Sequence, residues 1–225
     1  MFVINIIPDP IISASYIILL TLFKNSTVIL KNLILENLGE AYDLFKNIGI
    51  IFNKVKEHSY YLTYVDKFNS FYVETREFPG IYTDIMPFLT VLGSQIGDCI
   101  IKENIMNNRF KFAIELENLG LNYVIKDDII YINKSNFNNF KNSNYSCKAT
   151  DLRGGMAILY YSLLLIKFNN NIKIDIKNYN YLKRGYTNIF KNISKVYNFN
   201  LKIEEDNTME KITLTSNNNK LFESS

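Results

Sequence analysis

Three long apolar runs divide this chain, and each of them begins just after an aspartate. They cover residues 11–23, 85–95 and 152–166. An aspartate before an apolar run that lacks internal strand punctuation is typical of an N-capped, largely buried helix. The pattern therefore predicts three buried helices.

The same elements follow each apolar run. A short β-branched stretch comes first, then an amphipathic helix, and then two short strands joined by a charged or Asn-rich turn. The β-branched stretches are residues 27–30, 98–101 and 172–176, and the amphipathic helices are residues 40–49, 110–120 and 185–198. The unit is therefore strand, helix, strand, helix, strand, strand.

This unit occurs three times, at about residues 1–75, 76–142 and 143–216. Because each copy contributes one very apolar helix, we expect those helices to gather inside and the sheets to lie outside. The fold class is thus predicted to be α+β, as a single domain of three βαβαββ repeats over residues 1–216. Residues 217–225 are expected to form a disordered tail.

Composition adds mainly exclusions. The 225 residues are 48% hydrophobic, which is enough for a sizeable core, and the net charge of +3 gives no cationic footprint for nucleic acid. The apolar runs are shorter than the roughly 20 residues that span a bilayer. The N-terminus lacks a basic region and a cleavage site, so we expect a cytoplasmic protein without membrane partners. Two cysteines, Cys99 and Cys147, in predicted strands do not indicate a disulfide.

Arginine is rare here, since only four of the 25 basic residues are arginine. Arg109, Arg153 and Arg184 lie in short polar strings at the starts of predicted helices, where backbone N–H groups and the helix dipole favour anions. A guanidinium fork there can grip phosphate or carboxylate in a bidentate way. Ordinary surface ion pairs are the alternative for these three and the preferred interpretation for Arg76.

Two roles stay open for Asp84, whereas Asp9 and Asp151 are interpreted as helix caps. If Asp84 is a cap, Pro87 falls in the first turn, where its missing N–H costs nothing. A carboxylate in that place would also be ionised at neutral pH, the form that a general base needs. His58 has no histidine or cysteine partner nearby in sequence, so we expect a solvated position rather than a metal site. The sequence has no Gly-rich phosphate loop, Ser-His-Asp set or CxxC pair, and we expect no cofactor.

Four strings, in order along the chain, resemble successive motifs of the UDP-N-acetylglucosamine enolpyruvyl transferase (1-carboxyvinyltransferase) family. They are PGIYTDIMPFLTVL, IKENIMNNRFKFAIELENLGLNYVI, KATDLRGGMAILYYSLLL and YLKRGYTNIFKNI. The resemblance extends over about residues 3–205. It implies the inverse α/β prism of the enolpyruvyl transferases, in which two domains of three repeats each enclose a cleft.

The resemblance also implies a reaction and the residues that bind its sugar substrate. In this family the sugar 3-hydroxyl attacks C2 of phosphoenolpyruvate, C3 is protonated, and inorganic phosphate then leaves. Asp84 matches the aspartate that contacts the sugar hydroxyl and is proposed as its base. Ile105 matches a position whose backbone contacts the nucleotide sugar.

The remaining implied substrate-binding residues handle charge. Arg109, Arg153 and Arg184 match cleft arginines that bind phosphoenolpyruvate and the departing phosphate. Asp151 matches an aspartate near the reacting groups. Gly154 and Gly155 depart from the small residues usual after the arginine and predict a helix start weakened by roughly 0.5 to 1 kcal/mol per glycine relative to alanine.

The chain resembles only the C-terminal of the two domains. The other domain would carry the loop cysteine, a Lys–Asn pair for phosphoenolpyruvate and most uridine contacts. We therefore expect half of a UDP-N-acetylglucosamine 1-carboxyvinyltransferase of peptidoglycan synthesis, inactive without a separate polypeptide that carries the N-terminal domain. Two alternatives stay open: a non-catalytic remnant or accessory binding module, and a relative of 3-phosphoshikimate 1-carboxyvinyltransferase.

Overall fold

The computed structural model describes residues 2–23, 27–65, 69–138, 140, 144–169, 171–186, 189–196, 199–205 and 210–216. The chain divides into two compact units. Unit 1 comprises Met1–Lys111 and Leu121–Ser135, and unit 2 comprises Phe112–Gly120 and Asn136–Ser225. The predicted tail lies outside the described residues, and the single domain over residues 1–216 stays a prediction.

Twelve strands and seven α-helices form the described part of the chain. The strands are β1 Phe2–Asn5, β2 Thr27–Lys31, β3 Ile50–Lys56, β4 Ser59–Tyr64, β5 Tyr72–Glu74, β6 Cys99–Lys102, β7 Tyr123–Lys126, β8 Ile129–Ile132, β9 Asn144–Lys148, β10 Lys173–Lys177, β11 Phe199–Glu205 and β12 Glu210–Ser216. The helices are α1 Pro10–Thr21, α2 Glu40–Asn47, α3 Met86–Ile96, α4 Lys111–Glu117, α5 Leu152–Phe168, α6 Asn180–Lys183 and α7 Ile189–Val196. Each of the three predicted buried helices is present, and so is each of the three predicted strand pairs, β3 with β4, β7 with β8 and β11 with β12.

The strands form three four-stranded mixed sheets, and all three have the same order. In each sheet the first strand pairs in parallel with the second, and the second, fourth and third strands then pair antiparallel. The three predicted repeats are thus confirmed. One boundary differs: β5 pairs with β6 in the second sheet, although the predicted limit at residue 75 places it in the first repeat. Three residues are too few to show a strand pattern in sequence.

In unit 1, α1 and α3 pack against each other and are almost completely buried. Asp9 caps α1 as predicted, since its Oδ1 accepts a hydrogen bond from the Ile12 amide at 2.8 Å. Hydroxyl groups inside these helices donate to carbonyls one turn earlier, as Thr21 does to Ile18 and Ser94 to Val91. Polar side chains can therefore be buried in these helices without losing hydrogen bonds.

In unit 2, α5 is buried over residues 154–166. Asp151 caps it as predicted, because its Oδ1 accepts from the Gly154 amide at 2.8 Å. The glycines that follow serve close packing: a Cβ on Gly155 would lie 2.9 Å from the Ala149 Cβ, and one on Gly154 would lie 2.9 Å from the Phe112 Cβ. Alanine at either position would prevent this close packing. The prediction that the two glycines weaken the helix start does not take this packing into account.

Two further predictions concern buried groups and membranes. Cys99 on β6 and Cys147 on β9 are free and buried, as expected for strand residues. Burial raises the pKa of the Cys99 thiol to about 11 and also raises the pKa of Cys147. Within the ranges that the structure describes, no helix combines the length and the apolar character that crossing a bilayer requires.

Candidate functional site

Asp84 lies in a short 3₁₀ turn, Thr83–Ile85, that leads into α3. Of the two roles left open for Asp84, capping of α3 is excluded, because α3 begins at Met86 and its N-cap residue is Ile85. Pro87 does lie in the first turn of the helix. The Asp84 side chain is 40% exposed, so its carboxylate is accessible from solvent.

Arg109 is the partner of Asp84. Its Nη2 donates to Asp84 Oδ1 at 3.1 Å, and its side chain is only 12% exposed. Arg109 lies in the turn over residues 107–110, two residues before α4 begins, and so precedes the helix rather than starting it. A largely buried guanidinium therefore sits against a half-exposed carboxylate, which is a charge-assisted contact.

The segment that leads from β6 to Arg109 carries Ile105. Its first residue, Glu103, is buried, and its carboxylate accepts hydrogen bonds from the Thr83 hydroxyl and from the Ile105 and Met106 amides at 2.8 to 2.9 Å. The Ile105 side chain is exposed. Three of the predicted site residues, Asp84, Ile105 and Arg109, are therefore brought together in unit 1.

Arg153 lies in the first turn of α5, as predicted. Its Nη1 donates to the Tyr186 hydroxyl at 2.9 Å, and its guanidinium carbon lies 5.5 Å from the centre of that ring. The Tyr186 side chain is itself buried. Arg153 is thus placed by an aromatic residue that lies 33 positions further along the chain.

Arg184 occupies a different place from the predicted one. It is the C-terminal cap residue of the four-residue helix α6, whereas a helix start was predicted. Its guanidinium carbon lies 5.3 Å from the centre of the Tyr181 ring. A helix of one turn is too short to show a periodic pattern in sequence, so only the helix at residues 185–198 was predicted here, with Arg184 at its start.

The interpretation of the other two singled-out residues is supported by their contacts. Arg76 Nη2 donates to both carboxylate oxygens of Glu40, at 3.1 and 2.9 Å, as a surface ion pair. His58 lies in the turn between β3 and β4 and is half-exposed. Among the residues described, no group of three or more His, Cys, Asp or Glu side chains clusters closely enough to hold a metal ion.

Sequence reasoning missed Glu103, Thr83 and Tyr186. Tyr186 belongs to a string with Arg184, but nothing in that string indicates that its hydroxyl binds Arg153. Glu103 follows a strand and resembles any polar residue that ends one. Burial distinguishes Glu103 from such residues, and burial depends on tertiary packing.

The sequence profile of the EPSP synthase (3-phosphoshikimate 1-carboxyvinyltransferase) family matches residues 2–193. This chain belongs to that family. As a member of the EPSP synthase family it has relatives named UDP-N-acetylglucosamine 1-carboxyvinyltransferase. The one from Helicobacter pylori (strain Shi470) is 30% identical over 162 residues, which are 72% of this chain and 37% of the relative. The one from Halothermothrix orenii is 29% identical over 195 residues, 85% of this chain and 44% of the relative.

Solved structures support the fold assigned to this family member. The enolpyruvyl transferase NikO from Streptomyces tendae has a TM-score of 0.71 at 21% identity, over 95% of this chain and 46% of that one. EPSP synthase from Acinetobacter baumannii has a TM-score of 0.57 at 10% identity, over 96% of this chain and 47% of that one. The enolpyruvyl transferase fold is therefore confirmed. The chain spans less than half the length of these relatives and structures.

Proposed function

We propose that this chain supplies a general base and anion-binding arginines to a UDP-N-acetylglucosamine 1-carboxyvinyltransferase. In this proposal a separate polypeptide carries the other three repeats and completes the site, and the chain alone does not turn over substrate. Phosphoenolpyruvate and UDP-N-acetylglucosamine are the substrates, and the product is a peptidoglycan precursor. The names of the relatives at about 30% identity support this choice.

The contact between Asp84 and Arg109 is the observation that carries the proposal. The Asp84 carboxylate is accessible and lies on a turn that leads into a buried helix. It can accept the proton of the sugar 3-hydroxyl as that oxygen bonds to C2 of phosphoenolpyruvate. C3 gains a proton in this addition. In the elimination that follows, C3 loses a proton, the bond from C2 to the phosphate oxygen breaks, and phosphate leaves.

Three arginines and two further residues complete the proposed contribution of this chain. Arg109, Arg153 and Arg184 bind the carboxylate and phosphate of phosphoenolpyruvate, for which the planar guanidinium fork is better suited than an ammonium group. The Ile105 backbone contacts the nucleotide sugar, and Asp151, which caps α5, lies near the reacting groups.

A second acceptor has support of its own. The family profile that matches residues 2–193 is described as 3-phosphoshikimate 1-carboxyvinyltransferase. Both acceptors present a ring hydroxyl to phosphoenolpyruvate, so the same base and arginines would serve either reaction. We prefer UDP-N-acetylglucosamine as the acceptor because the relatives at about 30% identity are named UDP-N-acetylglucosamine 1-carboxyvinyltransferase.

Co-expression with a polypeptide that carries the three missing repeats tests the proposal. After light scattering has verified the complex, phosphate release from phosphoenolpyruvate is measured with UDP-N-acetylglucosamine, with shikimate 3-phosphate and without acceptor. We expect release with UDP-N-acetylglucosamine and a loss of at least about 100-fold in Asp84→Ala. The control is Asp43→Ala, because Asp43 is in a surface ion pair with Lys46 at 2.7 Å.

Each result decides between the candidates. No release from a verified complex contradicts the proposal. Release with shikimate 3-phosphate alone assigns the second acceptor. If Asp84→Ala and Asp43→Ala release phosphate equally well, Asp84 is not the base.

A further inference from the structure

We infer that Glu103 is a positioning residue, which holds the turn that carries Asp84 and the segment that carries Ile105 in one arrangement. The inference rests on the proposed function, since these are residues proposed to bind the sugar substrate. It assigns to Glu103 the geometry of sugar binding and no direct contact with the reacting atoms.

The burial of Glu103 is the first argument. Only 3% of this residue is exposed, and an ionised carboxylate without hydrogen-bond donors is costly to bury. Three donors compensate it at short distance: the Thr83 hydroxyl at 2.8 Å, the Ile105 amide at 2.8 Å and the Met106 amide at 2.9 Å. Such a donor set stabilises one orientation of the side chain.

The two oxygens of Glu103 serve two different elements. Oε2 accepts from Thr83, which directly precedes Asp84 in the 3₁₀ turn. Oε1 accepts from the backbone of Ile105 and Met106. One rigid carboxylate therefore sets the separation between the proposed base and the backbone proposed to contact the sugar.

The backbone that carries Glu103 is itself fixed. Glu103 follows β6, which pairs on both sides within its sheet, and its amide donates to the Asp128 carbonyl at 2.8 Å. The next amide, that of Asn104, donates to the buried Thr75 hydroxyl at 2.9 Å. The carboxylate is thus held on a sheet and not on a free loop.

The same segment meets the Asp84 turn at both of its ends. Glu103 bonds Thr83 at one end, and Arg109 bonds Asp84 at the other. Between them Ile105 and Met106 are exposed, so side-chain burial does not hold their backbone in place. Without Glu103 their amides lose their acceptor while the contact between Arg109 and Asp84 remains.

The test uses three variants of this chain in the assembled complex. Glu103→Ala removes the acceptor. Glu103→Gln keeps it, since the amide oxygen can accept from both backbone N–H groups and the amide nitrogen can donate to the Thr83 oxygen. Glu115→Ala is the control, because Glu115 accepts a backbone hydrogen bond from Lys148 at 2.8 Å elsewhere.

Michaelis constants for both substrates and hydrogen exchange at two amides are the readouts. In Glu103→Ala we expect KM for UDP-N-acetylglucosamine to rise about tenfold while KM for phosphoenolpyruvate stays within about twofold. We expect the Ile105 and Met106 amides to exchange at least about tenfold faster, with the thermal midpoint recorded alongside. Glu103→Gln should restore both quantities, and Glu115→Ala should change neither.

Unchanged exchange in Glu103→Ala overturns the inference, and so does an equal rise in both KM values without rescue by Glu103→Gln. Faster exchange with an unchanged KM for the sugar overturns it as well and leaves the proposed function intact. If the wild-type complex releases no phosphate, the proposed function fails. Exchange and a UDP-N-acetylglucosamine titration of this chain then decide the role of Glu103: faster exchange and weaker binding in Glu103→Ala support it, and the absence of either overturns it.

Discussion

The two compact units place their candidate arginines by different forces. In unit 1, Arg109 contacts the carboxylate of Asp84, and a buried carboxylate, Glu103, holds the neighbouring backbone. In unit 2, Arg153 and Arg184 lie beside tyrosine rings. A charge pair needs any cation of suitable length, whereas an aromatic ring favours the planar, weakly hydrated guanidinium. Substitutions should therefore affect the two units unequally.

Lysine in place of arginine should show the largest difference. We expect Arg153→Lys to lower kcat/KM for phosphoenolpyruvate about 100-fold, because lysine loses both the planar contact and the bidentate grip. Arg109→Lys should lose about tenfold, since an ammonium group can still pair with Asp84. Phosphate release from the assembled enzyme measures both, with Arg76→Lys as the surface-pair control. Equal losses in all three variants would contradict the comparison.

Replacing a helix glycine by alanine should change the free energy of unfolding by different amounts in the two units. Gly155→Ala in α5 should lower the free energy of unfolding by about 1 to 3 kcal/mol, because its Cβ would meet Ala149 at 2.9 Å. Gly93→Ala in α3 is the matched variant in unit 1, where the nearest atoms lie at 3.1 Å. We expect a change within about 1 kcal/mol there, since the helical preference of alanine offsets the tight fit. Urea unfolding measures both, and a stabilised Gly155→Ala would refute the packing argument.

Phenylalanine substitutions distinguish the contribution of the tyrosine ring from that of the hydroxyl group in unit 2. Tyr186→Phe removes only the acceptor of the Arg153 hydrogen bond, so we expect about a fivefold loss in kcat/KM for phosphoenolpyruvate. Tyr181→Phe keeps the ring beside Arg184 and should leave the activity unchanged. The reverse order of effects would show that the hydroxyl of Tyr186 does not position Arg153.

The last prediction concerns the buried thiol of Cys99 in unit 1, whose effect is confined to alkaline pH. The folded pKa of Cys99, about 11, lies above the unfolded value of about 8.5, so burial favours the neutral thiol. Its contribution to stability is full below pH 8.5 and is lost as the pH rises towards 11. Urea unfolding at pH 7, 9 and 10 should therefore show a steeper loss for the wild type than for Cys99→Ala. Parallel slopes would exclude this contribution.

Features that depend on neighbouring residues could be predicted from the sequence. Asp9 and Asp151 bond to amides three positions further along, so their capping roles follow from local pattern. The threefold repeat is also local, because every strand of a sheet comes from one stretch of the chain. Asp84 shows where this stops: an extra 3₁₀ turn separates it from α3, and its partner Arg109 is 25 positions away.

The rest of the candidate site depends on tertiary packing. Glu103 takes its role from burial and from Thr83, which lies 20 positions earlier, and no periodicity in the chain records that contact. Arg184 was misplaced because one turn of helix, α6, is too short to leave a pattern. The strings that carry the resemblance contain all these residues, but a string gives no distances.

The path of the backbone has a consequence for how this protein could be cut or exchanged. Residues 112–120, which hold most of α4, belong to unit 2, while the segments on both sides belong to unit 1. The backbone passes between the units three times, so no single proteolytic cut yields a fragment with all of unit 2 and none of unit 1. The repeat that is visible in sequence is therefore not a module that can be excised: removing the third repeat alone would strip α4 of its own unit.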